Sequence, residues 1–198
     1  MKHLFYLGTI LVLISACSQP KPVDQSQKLA WTQHQQQLSK LQNWNLSGRV
    51  GLYTKDEAWP GDLQWKQQGN QYDMRIIASL GAGSMRVYSV EGGVVLEHSS
   101  SAVPRFSATP ETLLKEQFGW QLPVRHLRYW MKGMPSPFAA VTGALDLNPQ
   151  GYLNNLKQAG WTISFSRYKQ TAAYVLPAKV LLEHEDLSIK IVIRQWAI

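Results

Sequence analysis

Three hydrophobic rhythms divide the chain. Residues 4–14 are mostly apolar and follow Lys2 and His3. Leu29, Trp31, His34, Leu38 and Leu41 then recur at spacings that share one helical face, with Gln, Lys and Thr between them, which predicts an amphipathic helix over residues 28–42. After Asn43 the period falls to two. Trp44, Leu46, Gly48, Val50 and Leu52 alternate with Asn45, Ser47, Arg49 and Gly51, the pattern of a half-buried strand. Trp59-Pro60-Gly61-Asp62 reads as a turn, Leu63 and Trp65 share the next strand face, and Gln68-Gly69-Asn70 closes a hairpin onto Tyr72, Met74 and Ile76. Met85-Arg86-Val87-Tyr88 and Val94-Val95-Leu96 add two strands on either side of Glu91-Gly92-Gly93. Residues 44–98 are thus predicted as one antiparallel meander, since most of its loops are too short for a parallel crossover.

The middle of the chain returns to a helical period. Thr109 can cap, Pro110 suits a first helical position, Leu113, Leu114 and Phe118 form a stripe, and Gly119 can end it. A second short helix starts at Pro123, carries Val124, Leu127, Trp130 and Met131, and stops near Gly133 and Pro135. Strand patterns resume weakly at Leu153 and Leu156. They are clear at Trp161-Thr162-Ile163-Ser164-Phe165, Val180 with Leu182, and Leu187 to Ile193. A sheet drawn from both ends of the chain with helices between is α+β in class.

The apolar start changes the picture most. Leu13-Ile14-Ser15-Ala16-Cys17 ends it, and Cys17 is the one cysteine in 198 residues. A basic start, an apolar run and small residues before a break make a secretion signal, and the run is shorter than the roughly 18 residues a spanning helix needs. Ile14-Ser15-Ala16-Cys17, an aliphatic residue, two small ones and Cys, resembles the lipobox of bacterial lipoproteins, whose first position is usually Leu. That resemblance implies removal of residues 1–16 and acylation of Cys17. Three chains of about 15 methylenes, at about 0.8 kcal/mol per buried CH2, would make the anchor effectively permanent. Residues 17–27, rich in Gln, Pro, Ser and Lys, read as a flexible tether, and residues 28–198 as a single domain.

Composition fits a packed domain: 44% hydrophobic and 17% charged residues, with eight Trp and eight Tyr. The formal charge of +7 would suit an anionic surface, but no Lys/Arg run exceeds two residues and the chain is exported, which argues against nucleic acid. The five His are scattered and the thiol is committed to the anchor, so no metal ligand set is visible. Gly81-Ala82-Gly83-Ser84-Met85 lacks the second Gly of a nucleophile elbow, and Arg86 stands where a dinucleotide fingerprint needs its last Gly. Neither an enzyme nor a cofactor is expected. Glu183 and Glu185 share a strand face as solvated carboxylates do.

Ala78-Ser79-Leu80-Gly81-Ala82-Gly83 is the loop that local turn chemistry explains least. Its small residues suit a hairpin tip, but Leu80 does not. Either Leu80 folds back into the core, or it stands out as an apolar finger able to dip into a bilayer.

Taken in order, Trp31, His34, Leu38, Leu41 and Trp44, leading into Leu46-Ser47-Gly48-Arg49-Val50-Gly51, resemble the start of the outer-membrane lipoprotein receptor family LolB. Leu80-Gly81, Gly119-Trp120-Gln121-Leu122-Pro123-Val124, Leu127, Tyr129-Trp130, Gly133 and Pro135 continue the resemblance. So do Gly151, Leu153, Gln158-Ala159-Gly160-Trp161, Leu176-Pro177 and the stretch from Lys190 to Trp196. It covers essentially the whole chain. One departure is Ser79, where the family loop usually reads Pro-Leu-Gly, which loosens the turn before Leu80.

The resemblance implies a LolA/LolB-like fold: a strongly curved antiparallel sheet, a half-open barrel, covered by a helical lid over an apolar cavity. It implies a monomer anchored to the outer membrane and facing the periplasm. Such a protein accepts the acyl chains of lipoproteins from a LolA-like periplasmic carrier and releases them into outer-membrane lipid without ATP. Trp44, Trp65, Ile76 and Trp130 are the candidates for cavity lining, Leu80 for membrane insertion and Cys17 for lipidation. Arg49, Lys66 and Arg86 are candidates to meet an acidic carrier face or lipid head groups. The alternative is an assembly lipoprotein that binds a partner protein through its sheet edges.

Overall fold

The computed structural model describes residues 23–198, together with the backbone but not the side chain of Leu80. Cys17 and the signal lie outside the described residues. Helix α1 (Gln25–Lys40) starts three residues earlier than its apolar stripe suggests, because Asp24 and Gln27 form a reciprocal capping box. It buries Trp31, His34 and Leu38.

Strands β1 (Asn43–Tyr53), β2 (Ala58–Gln68), β3 (Gln71–Ala78), β4 (Ser84–Val90) and β5 (Gly93–His98) form the expected meander. The short β6 (Arg105–Ser107) precedes helices α2 (Pro110–Phe118) and α3 (Val124–Trp130). The second half comprises β7 (Val141–Leu147), β8 (Leu153–Gln158), β9 (Trp161–Ser166), the hairpin β10 (Lys169–Thr171) with β11 (Tyr174–Leu176), β12 (Lys179–His184) and β13 (Leu187–Ala197). Eleven strands make one open sheet in the order β6-β5-β4-β3-β2-β1-β13-β12-β9-β8-β7, and its two halves meet where β1 pairs with β13. Neighbours are antiparallel throughout.

Trp59-Pro60-Gly61-Asp62 is not a turn. These residues lie within β2, and the chain reverses earlier, between Tyr53 and Ala58. Proline fits because β3 pairs with β2 only from Gly61 onward, so Pro60 has a strand on one side alone. Gly61 is required there: a Cβ would come within 2.8 Å of the Ile77 carbonyl oxygen.

Two unequal cores lie against the inner face. The larger joins α1 and α3 to β1, β2, β8, β9, β12 and β13, with Trp130, Leu153, Ile163, Val180 and Leu182 fully buried. Most of its buried polar atoms are paired, His34 Nε2 and His126 Nδ1 being the exceptions. Trp130 Nε1 donates to Gln158 Oε1 at 2.8 Å, Ser136 N donates to the same oxygen, and Gln158 Nε2 donates to the carbonyls of Ser136 and Ala139. Lys132 Nζ donates to the carbonyls of Leu38 and Leu41, closing the C-terminal end of α1 with a positive charge. The smaller core sets Leu113 and Leu114 of α2 and Val124 against Val87, Val94 and Leu96.

Candidate functional site

The inner face of β3 and β4 is the part of the sheet that packing leaves unfinished. Along most of β1 and β2 buried and exposed residues alternate, whereas most of β3 and β4 is half-buried on both faces. Tyr72, Met74, Ile76 and Met85 therefore face the interior without being sealed in it. Methionine is the apolar side chain best able to reshape around a guest. Helix α2 lies over this strip, held by Leu113, Leu114 and Phe118. Among the described residues, one hydrogen bond joins it to another element, from the Arg125 amide to Glu111 Oε1 at 3.3 Å. Apolar contact therefore supplies nearly all that holds α2 to the sheet.

An opening stands at each end of α2. Near its C-terminal end is an apolar pocket of about 40 Å³ between Leu52, Ile76 and Met85 and the rings of Trp59, Phe118 and Trp120. Phe118 and Trp120 stack at 4.6 Å, and Trp59 meets both edge-on at 6.1 and 5.6 Å. That volume admits a few waters and no acyl chain, so these aromatics close this end. Ala78, Ala82 and Gly83, which flank the Ser79–Gly81 turn, line its edge. Near the N-terminal end of α2 is a pocket of about 340 Å³, within the range of small-ligand sites. Trp65, Tyr72, Val90, Val94, Val124 and Phe138 supply its apolar walls, and Arg125 and Arg128 its rim. Arg125 lies 4.3 Å over the Phe138 ring, and Arg128 donates to Gly69 O and Asn70 Oδ1.

The chain matches the family model described as outer membrane lipoprotein LolB over residues 42–196. It is 37% identical to the outer-membrane lipoprotein LolB of Pseudomonas aeruginosa strain LESB58, across 98% of this chain and 95% of that one. This chain belongs to the LolB family. The LolB of Pseudomonas putida strain GB-1 is 38% identical across 84% of this chain and 80% of its own. A solved LolA superfamily protein from Nitrosomonas europaea is similar at 8% identity and a TM-score of 0.48, covering 88% of this chain and 92% of its own.

In this LolB-family chain the residues singled out from sequence fall in different places. Ile76 borders the small pocket and Trp65 the large one. Trp44 packs between Trp65 at 5.1 Å and Trp196 at 5.2 Å, near the start of β1. Trp130 is wholly buried beside Gln158 in the larger core. Leu80 sits in a short 3-10 turn whose neighbour Gly81 has a φ of 75°, but its side chain lies outside what is described. Arg49, Lys66 and Arg86 belong to the outer face, where Arg86 is already held by Asp73 at 2.7 Å and Arg49 lies 3.8 Å from Asp62.

Sequence reasoning passed over Trp59, Phe118, Tyr72, Arg125 and Phe138. Trp59 was hidden in an apparent turn. Phe118-Gly119-Trp120 carried a usable signal: a left-handed Gly119, with φ of 74°, that brings the two rings together at the end of α2. Among the described residues no three His, Cys, Asp or Glu side chains gather to hold a metal, and no helix is long and apolar enough to cross a membrane.

Proposed function

We propose that this chain is the outer-membrane receptor of lipoprotein localization, tethered through acylated Cys17. It takes a lipoprotein's acyl chains from a LolA-like carrier into the chamber beneath α2 and passes them to the inner leaflet of the outer membrane. The observation that carries this reading is the half-buried inner face of β3 and β4 under a helix held almost wholly by apolar contact. Exposing one chain of about 15 methylenes to water costs about 12 kcal/mol, so transfer needs an apolar path that opens on demand. Without ATP, direction comes from affinity: the receptor must hold the chains more tightly than the carrier and less tightly than the bilayer. The loop around Leu80 borders the aromatic-closed end, which suits release there.

The alternative of a scaffold working through sheet edges has less support. One edge, β6, is three residues long and follows Pro104, and the other, β7, is interrupted by irregular pairing between Thr142 and Leu147. Both are features that discourage strand addition.

The direct test mixes the unanchored protein with carrier loaded with a purified lipoprotein, then pulls down the cargo. Transfer without ATP is the expected result, and cargo left on the carrier would leave only a shared fold. In the same assay Leu80→Glu should accept cargo nearly as well as the parent and fail to deliver it to liposomes. Equal loss of both steps would contradict a separate insertion role for Leu80.

A further inference from the structure

Beside the larger pocket, behind the wall that Tyr72 lends it under α2, lies one buried polar atom with nothing to bind. Gln67 is buried there but fully used: its Oε1 accepts from Trp65 Nε1 at 3.0 Å, and its Nε2 donates to the carbonyls of Gly69 and Gln71. Arg128 is spent on Gly69, Asn70 and the Tyr129 hydroxyl. The Tyr72 hydroxyl is also shut off from solvent, yet it has no hydrogen-bond partner among the described residues. A buried hydroxyl left unpaired costs free energy that a ligand acceptor can recover.

Resting on the acyl-receptor reading, we infer that Tyr72 is a head-group reader: its O–H donates to an ester carbonyl of the diacylglyceryl moiety, while the acyl tails run beneath α2 toward Ile76 and Met85. Three features select that chemistry. The pocket walls are apolar, which suits the glycerol backbone and the first methylenes. Burial and then the nearby Glu111 hold the phenol well above its usual range, so it is a donor at any physiological pH. The acceptor must lie out of water with the hydroxyl, where an uncharged carbonyl costs far less to bury than a fatty-acid carboxylate. Arg125 and Phe138, at the rim, are left to face the more polar remainder of the cargo.

The test compares two synthetic probes on the full chain carrying Cys17→Ala: a lipopeptide whose cysteine bears a bis(acyloxy)propyl group, and its dialkyl ether analogue of equal chain length, which lacks both carbonyls. The parent should bind the ester about three- to tenfold more tightly, the range of one net hydrogen bond. Tyr72→Phe should erase that preference while leaving ether binding and thermal stability unchanged or slightly raised. Equal affinities in the parent would overturn the assignment and leave the chamber intact, as would an ester preference that survives in Tyr72→Phe. Failure of both probes to bind would instead remove the chamber and this assignment with it. If Tyr72→Phe does not fold, the infrared carbonyl band of a 13C-labelled ester bound to the parent decides: a downward shift is expected, and an unshifted band overturns the proposal.

Discussion

The two halves of this sheet are packed to different standards. Under α1 and α3 the inner face is closed by side chains at or near zero exposure, and the polar atoms of Trp130, Gln158 and Lys132 are paired, although His34 Nε2 and His126 Nδ1 are not. Under α2 the same sheet presents half-buried Met74, Ile76 and Met85, and an unpaired Tyr72 hydroxyl. One continuous sheet thus carries a rigid half and a yielding half. The function proposed above sets the chamber where cohesion is weakest, because a chamber that must open cannot also be the core that keeps the protein folded.

The contrast can be broken from the rigid side first. Gln158→Leu strands the Trp130 indole N–H, the Ser136 amide and two carbonyls in a dry interior. It should cost upwards of about 3 kcal/mol, read as a fall in the denaturant midpoint. A pH titration comes next. Burial lowers the pKa of His34 from 6.5 to about 4, so between those values the unfolded chain binds the proton more readily. Stability should therefore be intact above about pH 6.5 and fall as pH drops toward 4, by about 3 kcal/mol in the limit. His34→Leu should flatten that dependence. On the yielding side Phe118→Ala removes one ring of the aromatic closure. It should cost only about 1–2 kcal/mol of stability, less than the roughly 3–5 kcal/mol of a fully buried ring, because Phe118 is half-buried. Uptake of a fluorescent fatty acid should become faster. A loss as large as that of Gln158→Leu would erase the distinction between the halves.

Much of this organisation was legible before the structure. Thr109, Pro110 and Gly119 mark both ends of α2, and all three act as local chemistry says they should. The meander followed from alternation along most of β1 and from its turn residues. What escaped were elements whose side chains do not alternate. β7 exposes Val141, Thr142, Gly143 and Ala144 in succession, so no period marks it, and Pro60 reads as a turn until the missing neighbour on one side is known. The site was half legible. Trp65 and Ile76 could be named from their strand faces, because a period assigns inside and outside. It cannot separate a sealed interior such as that around Trp130 from an open one such as that around Tyr72, since both read as inward-facing aromatics. That difference arises from which helix covers which strands.

The central claim is that α2 is a lid over an acyl chamber while α1 and α3 are fixed. Hydrogen exchange on the empty protein and on its complex with the diacyl lipopeptide tests it most directly. The account predicts that amides of residues 111–118 exchange much faster than those of α1 and α3 when the protein is empty, and that the ligand changes protection in α2, β3 and β4 alone. Protection in α2 equal to that in α3, and unmoved by the ligand, would contradict it.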